Sequence, residues 1–194
     1  TRDEERFGHL RGYVTLLHQA VRRLAEAEET RYEGRVFRAM SLDSAQLDRY
    51  RPHPSGDRKL DLISWDGFTS ATKSPEKAMG NLGVYATAAG KETVLFLIRP
   101  DPSGGARVYP ADLSRAEDCI AAYGPAEQEV LYKIGQQFRI LRRRELVRKE
   151  VAREVGVELD ADEGGGPVYV VDLEAVDAFY DFAADLFRDD GDLR

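Results

Sequence analysis

The stretch YGPAEQEVLY, residues 123–132, sets two carboxylates at the entrance to an apolar run. Gly124 and Pro125 break any helix there, and Val130, Leu131 and Tyr132 suit a strand. Side chains two apart on a strand share a face, so Glu127 and Glu129 are expected to project together as like charges. Carboxylates where a loop meets a strand are ordinarily solvated, and companions elsewhere in the chain must decide whether these two do chemistry. Arg38, in VFRAM, is one companion. Its planar fork suits bidentate phosphate binding, against the plainer role of a strand arginine in a salt bridge. Ser70 and Thr72, in FTSAT (68–72), are the others, with hydroxyls able to hold a carboxylate or a loop.

These residues need a scaffold, and the patterning supplies one. Phe7, Leu10, Val14, Leu17, Val21 and Leu24 alternate steps of three and four, which predicts an amphipathic helix over about residues 3–29. Gly12 would weaken that helix standing free, so it is expected to pack on the domain's own core. Short strands are expected at RVFRAMS (35–41), at FTSAT and at RVYPADLS, with a long polar connection between the first two. Ser74 reads as an N-cap, with Pro75 at the first helical position and Glu76 and Lys77 following. TVLFLIRP (93–100) is a continuous apolar run that suits a buried strand. EVLYKIG and QFRILRRREL read as two strands of a hairpin around Gly135 and Gln136. Val147, Val151 and Val155 predict a helix within 145–159, ahead of a DADEGGG loop and the strand PVYVVDLEAV. Val176, Phe179, Tyr180, Ala183 and Phe187 share one face of an expected terminal helix. A chain that starts helical and turns strand-rich is α+β rather than alternating βαβ.

Arg38 on an early strand, Ser70-Ala71-Thr72 on a later one and Glu127-Gln128-Glu129 entering a third stand in one order. In that order and strand context they resemble the arginine–serine–glutamate class of mono-ADP-ribosyltransferases, the group of the iota-type actin toxins and the arginine-specific enzymes. EVLYKIGQQFRIL is similar to the usual continuation, and the likeness spans roughly residues 35–173. It departs from that class's Ser-Thr-Ser at Ala71, which costs the middle hydroxyl. The resemblance implies a split β-sandwich around an NAD cleft, two small sheets, with an N-terminal helical segment (1–30), a catalytic domain (31–174) and a C-terminal helical tail (175–194). It implies NAD as co-substrate, no metal, and a target protein with an exposed arginine. Glu129 would face the ribose, stabilising an oxocarbenium-like centre. Glu127 would orient and help deprotonate the acceptor guanidinium, whose pKa exceeds ~12. Arg38 would hold the NAD phosphates, Ser70 would hold Glu129, and Thr72 would support the loop below. Tyr123 would contact the target or pack. Asn81 would reach NAD, and Phe68 and Tyr85 would flank nicotinamide or pack in the core.

Composition bounds the partners. At a net charge of −7, general binding to a nucleic acid backbone is disfavoured. The basic run Arg142-Arg143-Arg144, with Arg148 and Lys149, is expected to be a solvated face, the alternative being a docking patch for an acidic partner or RNA. A single cysteine, Cys119, allows no internal disulfide and no thiolate-rich zinc site, and His9, His18 and His53 form no metal-ligand spacing. No apolar run approaches a membrane span of ~20 residues. The chain opens at Thr1 rather than methionine, in keeping with removal of a leader or upstream domain. The resemblance allows secretion or injection into a target cell. Three competing readings are an NAD glycohydrolase, modification of nucleic acid, and a catalytically dead NAD-binding or interaction module.

Overall fold

The computed structural model describes residues 2–85, 90–100, 108–115, 124–159 and 166–176. Its elements, in chain order, are α1 (Arg2–Glu26), β1 (Val36–Leu42), α2 (Ser44–Asp48), β2 (Leu62–Ser64), β3 (Thr69–Thr72), α3 (Pro75–Tyr85), β4 (Glu92–Pro100), β5 (Ala111–Asp112), a 3-10 turn (Pro125–Glu127), β6 (Glu129–Tyr132), β7 (Gln137–Val147), α4 (Arg148–Val155) and β8 (Pro167–Val176). The strands order as β2-β7-β8-β4-β1-β3-β6-β5. Every pairing is antiparallel except β4 with β8.

This ladder has two halves. β1 and β3 are joined through one register pair, Phe37 with Thr72, so the larger half (β2-β7-β8-β4-β1) and the smaller half (β3-β6-β5) can fold against each other. Tyr132 of β6 and Phe138 of β7 lie in opposite halves, yet their rings meet edge to face at 5.2 Å. Trp65 meets Phe138 at a tilt and Phe96 edge on, and Tyr50 meets Phe96 at a tilt, at centroid distances of 4.8, 5.3 and 4.9 Å. Aromatic pairs at these spacings add to area burial. They fill a core between the halves together with Val36, Val94, Ile98, Val130, Val171 and Leu173.

β4 is buried on both faces, which accounts for its unbroken apolar run. Val94, Phe96 and Ile98 point into that core, whereas Leu95 and Leu97 point to a second one covered by α3 and α4 through Ala78, Met79, Leu82, Val151 and Ala152. Leu17, Val21 and Leu24 of α1 pack on Ala111, Leu113 and Leu131 of the smaller half, so α1 belongs to the domain's own core.

Several expectations are corrected. Gly135 and Gln136 do not close a hairpin: β6 pairs with β3 and β5, and β7 with β2 and β8. The positive φ of Gly135 (71°) turns the chain out of one half and into the other. Residues 145–147 extend β7 rather than opening a helix, because β8 offers them partners as far as Pro167. The polar connection holds α2 and β2, and RVYPADLS contributes two strand residues to β5. The expected terminal helix beyond Val176 lies outside the described residues, as do Tyr123 and most of the DADEGGG loop.

Candidate active site

The smaller half builds one wall. β3 and β6 run antiparallel with Ser70 opposite Leu131 and Thr72 opposite Glu129. Alternation buries Thr69, Ala71, Val130 and Tyr132 and turns Ser70, Thr72 and Glu129 outward on one face. Ser70 and Glu129 are then diagonal neighbours across the pair, within side-chain reach. The Ser70 hydroxyl donates to Glu129 Oε1 at 2.7 Å.

Glu127 sits differently from the expectation. It is not on the strand with Glu129. Gly124 (φ 83°) and Pro125 start a 3-10 turn that includes Glu127, and Gln128 is left-handed (φ 48°), so the backbone reverses between the two carboxylates. Such a φ is uncommon for a residue with a side chain, and here the surroundings hold it. The Thr72 hydroxyl donates to the Glu127 carbonyl at 2.8 Å and accepts from the Ser74 amide at 3.1 Å. The Lys73 amide donates to the Gln128 carbonyl, and the Leu113 amide to the Glu129 carbonyl, each at 3.0 Å. Beneath them Lys73 bonds buried Asp112 and Ser114, both at 2.7 Å. Both carboxylates still line one cavity, and Glu127 pairs with Lys77 of α3 at 3.1 Å.

Arg38 comes from the larger half. In β1 it shares the inner face with Val36, Met40 and Leu42, an arginine in an apolar row. Its Nη1 donates to the Ser70 carbonyl, its Nε approaches Met40 Sδ at 3.3 Å, and its guanidinium lies 5.5 Å from the Trp65 ring centroid. Trp65 is itself fixed by donating to the Tyr50 hydroxyl at 2.9 Å. Burial holds the Arg38 guanidinium below the usual arginine range, and among the described residues it makes no ion pair. The salt-bridge role is therefore not what this arginine performs. Its Nη2 hydrogens have no recorded partner among the described residues, so the group is suited to an anion such as a pyrophosphate.

Between these walls lies a cavity of about 640 Å³, lined by Arg38, Ser70, Thr72, Glu127 and Glu129 together with Asn81, Tyr85 and Lys91, within the range of small-molecule sites. The structure thus brings together every expected site residue it describes except Phe68. Phe68 instead packs against the α1 cluster, as Leu17, Leu24 and Leu131 do, because α1 covers that end of the face that Ser70 and Leu131 share. Sequence reasoning missed Trp65, which lay in a stretch read as polar connection, although the chain's only tryptophan was a signal. It also passed over Lys77, a cation in a helix first turn where acidic residues are favoured.

The basic run is drawn into the fold. Arg142 and Arg144 pair with Asp172 at 2.5 and 3.0 Å, Arg144 also with Glu154, and Arg143 donates to the Leu47 carbonyl at 2.9 Å. The Arg144 hydrogen bond lowers the Glu154 carboxyl below the ordinary range. Arg143 and Arg144 are tied into β7, β8, α2 and α4 rather than forming the solvated face expected, whereas Arg142 and Lys149 are exposed.

The fold, a two-part sheet folded over an aromatic core, matches that of solved ADP-ribosyltransferases. No family model and no curated protein matches the chain. Among solved structures it is similar to the ADP-ribosyltransferase Vis in complex with agmatine, at 17% identity and a TM-score of 0.51 over 88% of this chain and 60% of that one. Vis is a toxin of Vibrio splendidus. The chain is also similar to the ADP-ribosyltransferase HopU1 of Pseudomonas syringae (15%, TM-score 0.48, 84% and 52% of the two chains). A third similar structure is the enzymatic component C2-I of the Clostridium botulinum C2-toxin (13%, TM-score 0.49, 89% and 37%). The chain spans less than two thirds of each, and at these identities the likeness is one of fold.

Proposed function

We propose that the chain is a mono-ADP-ribosyltransferase that moves ADP-ribose from NAD to an arginine of a target protein and releases nicotinamide. The observation that carries this reading is the Ser70–Glu129 hydrogen bond at 2.7 Å, at a cavity also lined by an arginine that has no carboxylate partner among the described residues. Arg38 holds the pyrophosphate. Glu129, oriented by Ser70, faces the ribose. As the C1′–N bond breaks and its electron pair leaves on nicotinamide, Glu129 stabilises the positive charge that builds on the sugar. A guanidinium nitrogen of the acceptor then bonds to C1′, and the proton it sheds passes to Glu127. Asn81 and Tyr85 line the same cavity and complete the donor site, and Tyr123, just ahead of the turn, serves the target side.

The arginine acceptor is supported by two carboxylates at one cavity with separate backbone settings, and by the agmatine, a guanidinium compound, bound to the similarly folded Vis. A toxin or effector role, delivered by secretion or injection, follows the same comparison, with residues 31–174 as the catalytic unit. No helix among the described residues is long and apolar enough to cross a membrane.

The test incubates the protein with NAD labelled on the adenylate, with and without an arginine-rich acceptor, and follows nicotinamide release and label transfer in parallel. Both should occur, and protease but not nuclease should free the label. Glu127→Gln should remove transfer and spare much of the release into water, because water needs no guanidinium-type deprotonation. Equal loss in both assays would put Glu127 in the NAD site, and label on no arginine would refute the acceptor assignment.

A further inference from the structure

We propose that Lys77 is an internal placeholder for the acceptor, and that it selects acceptor arginines flanked by a carboxylate. This rests on the reading above in which Glu127 receives the acceptor guanidinium. Lys77 lies in the first turn of α3, where its amide is capped by the Ser74 hydroxyl at 3.1 Å. The helix dipole disfavours a cation at that end, so helix stability does not call for a lysine there. What the position does is set an ammonium 3.1 Å from Glu127 Oε1, where a substrate guanidinium would dock. Of the neighbouring cations, Lys73 is committed to Asp112 and Ser114, and Arg38 contacts the Ser70 carbonyl rather than Glu127.

Lys77 and Glu127 keep 43% and 36% of their side-chain surface exposed. The pair therefore sits at the rim, where a macromolecule arrives, and exposed pairs are weak enough to exchange. An incoming guanidinium takes over Glu127 and leaves the ammonium unpaired. The helix keeps that ammonium within a screening length of ~8–10 Å of the acceptor segment. A carboxylate next to the acceptor arginine gives it a new partner, whereas a lysine in that place adds repulsion. Specificity then arises from a repulsive element as well as an attractive one.

The experiment compares label transfer from NAD to two short peptides, each with one arginine, flanked by aspartate in one and by lysine in the other, at equal concentration and ~0.1 M salt. Wild-type protein should favour the aspartate peptide about three- to tenfold, the range of one exposed charge interaction on each side of the comparison. Lys77→Met should bring the two within about twofold, and Lys77→Glu should reverse the order. Because the readout is a ratio within one protein, changes in NAD affinity or folded fraction cancel. The same ratio in wild type and Lys77→Met overturns the inference and leaves the arginine reading standing. Nicotinamide release with no label on either peptide, from all three proteins, overturns both.

Discussion

Replacing Ser70 with alanine removes one hydroxyl from a site where that residue makes two connections. The Ser70 hydroxyl donates to Glu129 and its carbonyl accepts from Arg38. Ser70→Ala deletes the first and keeps the second, since the backbone is untouched. A hydrogen bond to a charged group contributes ~1.5–3 kcal/mol. Ser70 and Glu129 are both partly exposed, so solvent can replace part of it and ~1–2 kcal/mol is the better range. If that bond orients Glu129 towards the ribose in the transition state, kcat for nicotinamide release should fall ~5–30-fold. KM for NAD should stay within about threefold, because the Arg38 contact survives. The fold should lose no more than this bond: at ~1–2 kcal/mol the melting temperature of a chain this size falls about 2–8 °C. Ser70→Thr, which restores a hydroxyl, should recover part of the rate. The assay is steady-state nicotinamide release beside a thermal melt. A kcat within twofold of wild type, or a loss confined to KM, would refute the claim that Ser70 works by aiming Glu129.

Two other substitutions separate the parts of the site. Glu129→Gln keeps the size and an acceptor oxygen for Ser70 but removes the charge, so transfer and hydrolysis should both drop ~10²–10³-fold with an unchanged melt; near wild-type turnover would reject the assignment of Glu129. Arg38→Ala should weaken NAD binding ~10–100-fold, as expected for loss of a charge-assisted contact already made in the ground state. Trp65 is the chain's only tryptophan and lies 5.5 Å from the guanidinium, so its fluorescence provides the titration in wild type, with calorimetry for the mutant; equal affinities would return Arg38 to a structural role.

The site was more legible in the sequence than the path of the chain between its parts. That Arg38, Ser70 and Glu129 gather at one cavity was expected from the order of their three motifs, and the short strands that carry them show in the residue types. The buried run of β4 was readable for the same reason. Pairing partners were not, because a turn such as Gly135-Gln136 looks alike whether it returns a strand to its neighbour or sends it across the sandwich. Tyr132 and Phe138 meet across the core rather than along a ladder, and no local pattern distinguishes these. The position of Glu127 was misread because the period-two rule was carried two residues ahead of the start of β6, whereas left-handed Gln128 bounds the strand there. Arg144 looked solvated because its partners, Glu154 and Asp172, are distant in sequence and share no pattern with it.

That break between Glu127 and Glu129 has a physical consequence for how the two carboxylates can be used. Glu129 is on a strand, with its backbone in the β3–β6 ladder and its side chain held by a serine from the paired strand, so its position is set by the sheet. Glu127 is on a 3-10 turn, its backbone pinned through Thr72 while its carboxylate, among the described residues, pairs with a partly exposed lysine. A group that must meet a sugar to within a fraction of an ångström gains from the first setting. A group that must release one cation and accept another, carried on a target whose shape the protein does not control, gains from the second. Two carboxylates side by side on one strand would have shared a single degree of order. In the proposed reading, one left-handed residue between them lets the donor side be rigid and the acceptor side exchangeable within three positions of sequence.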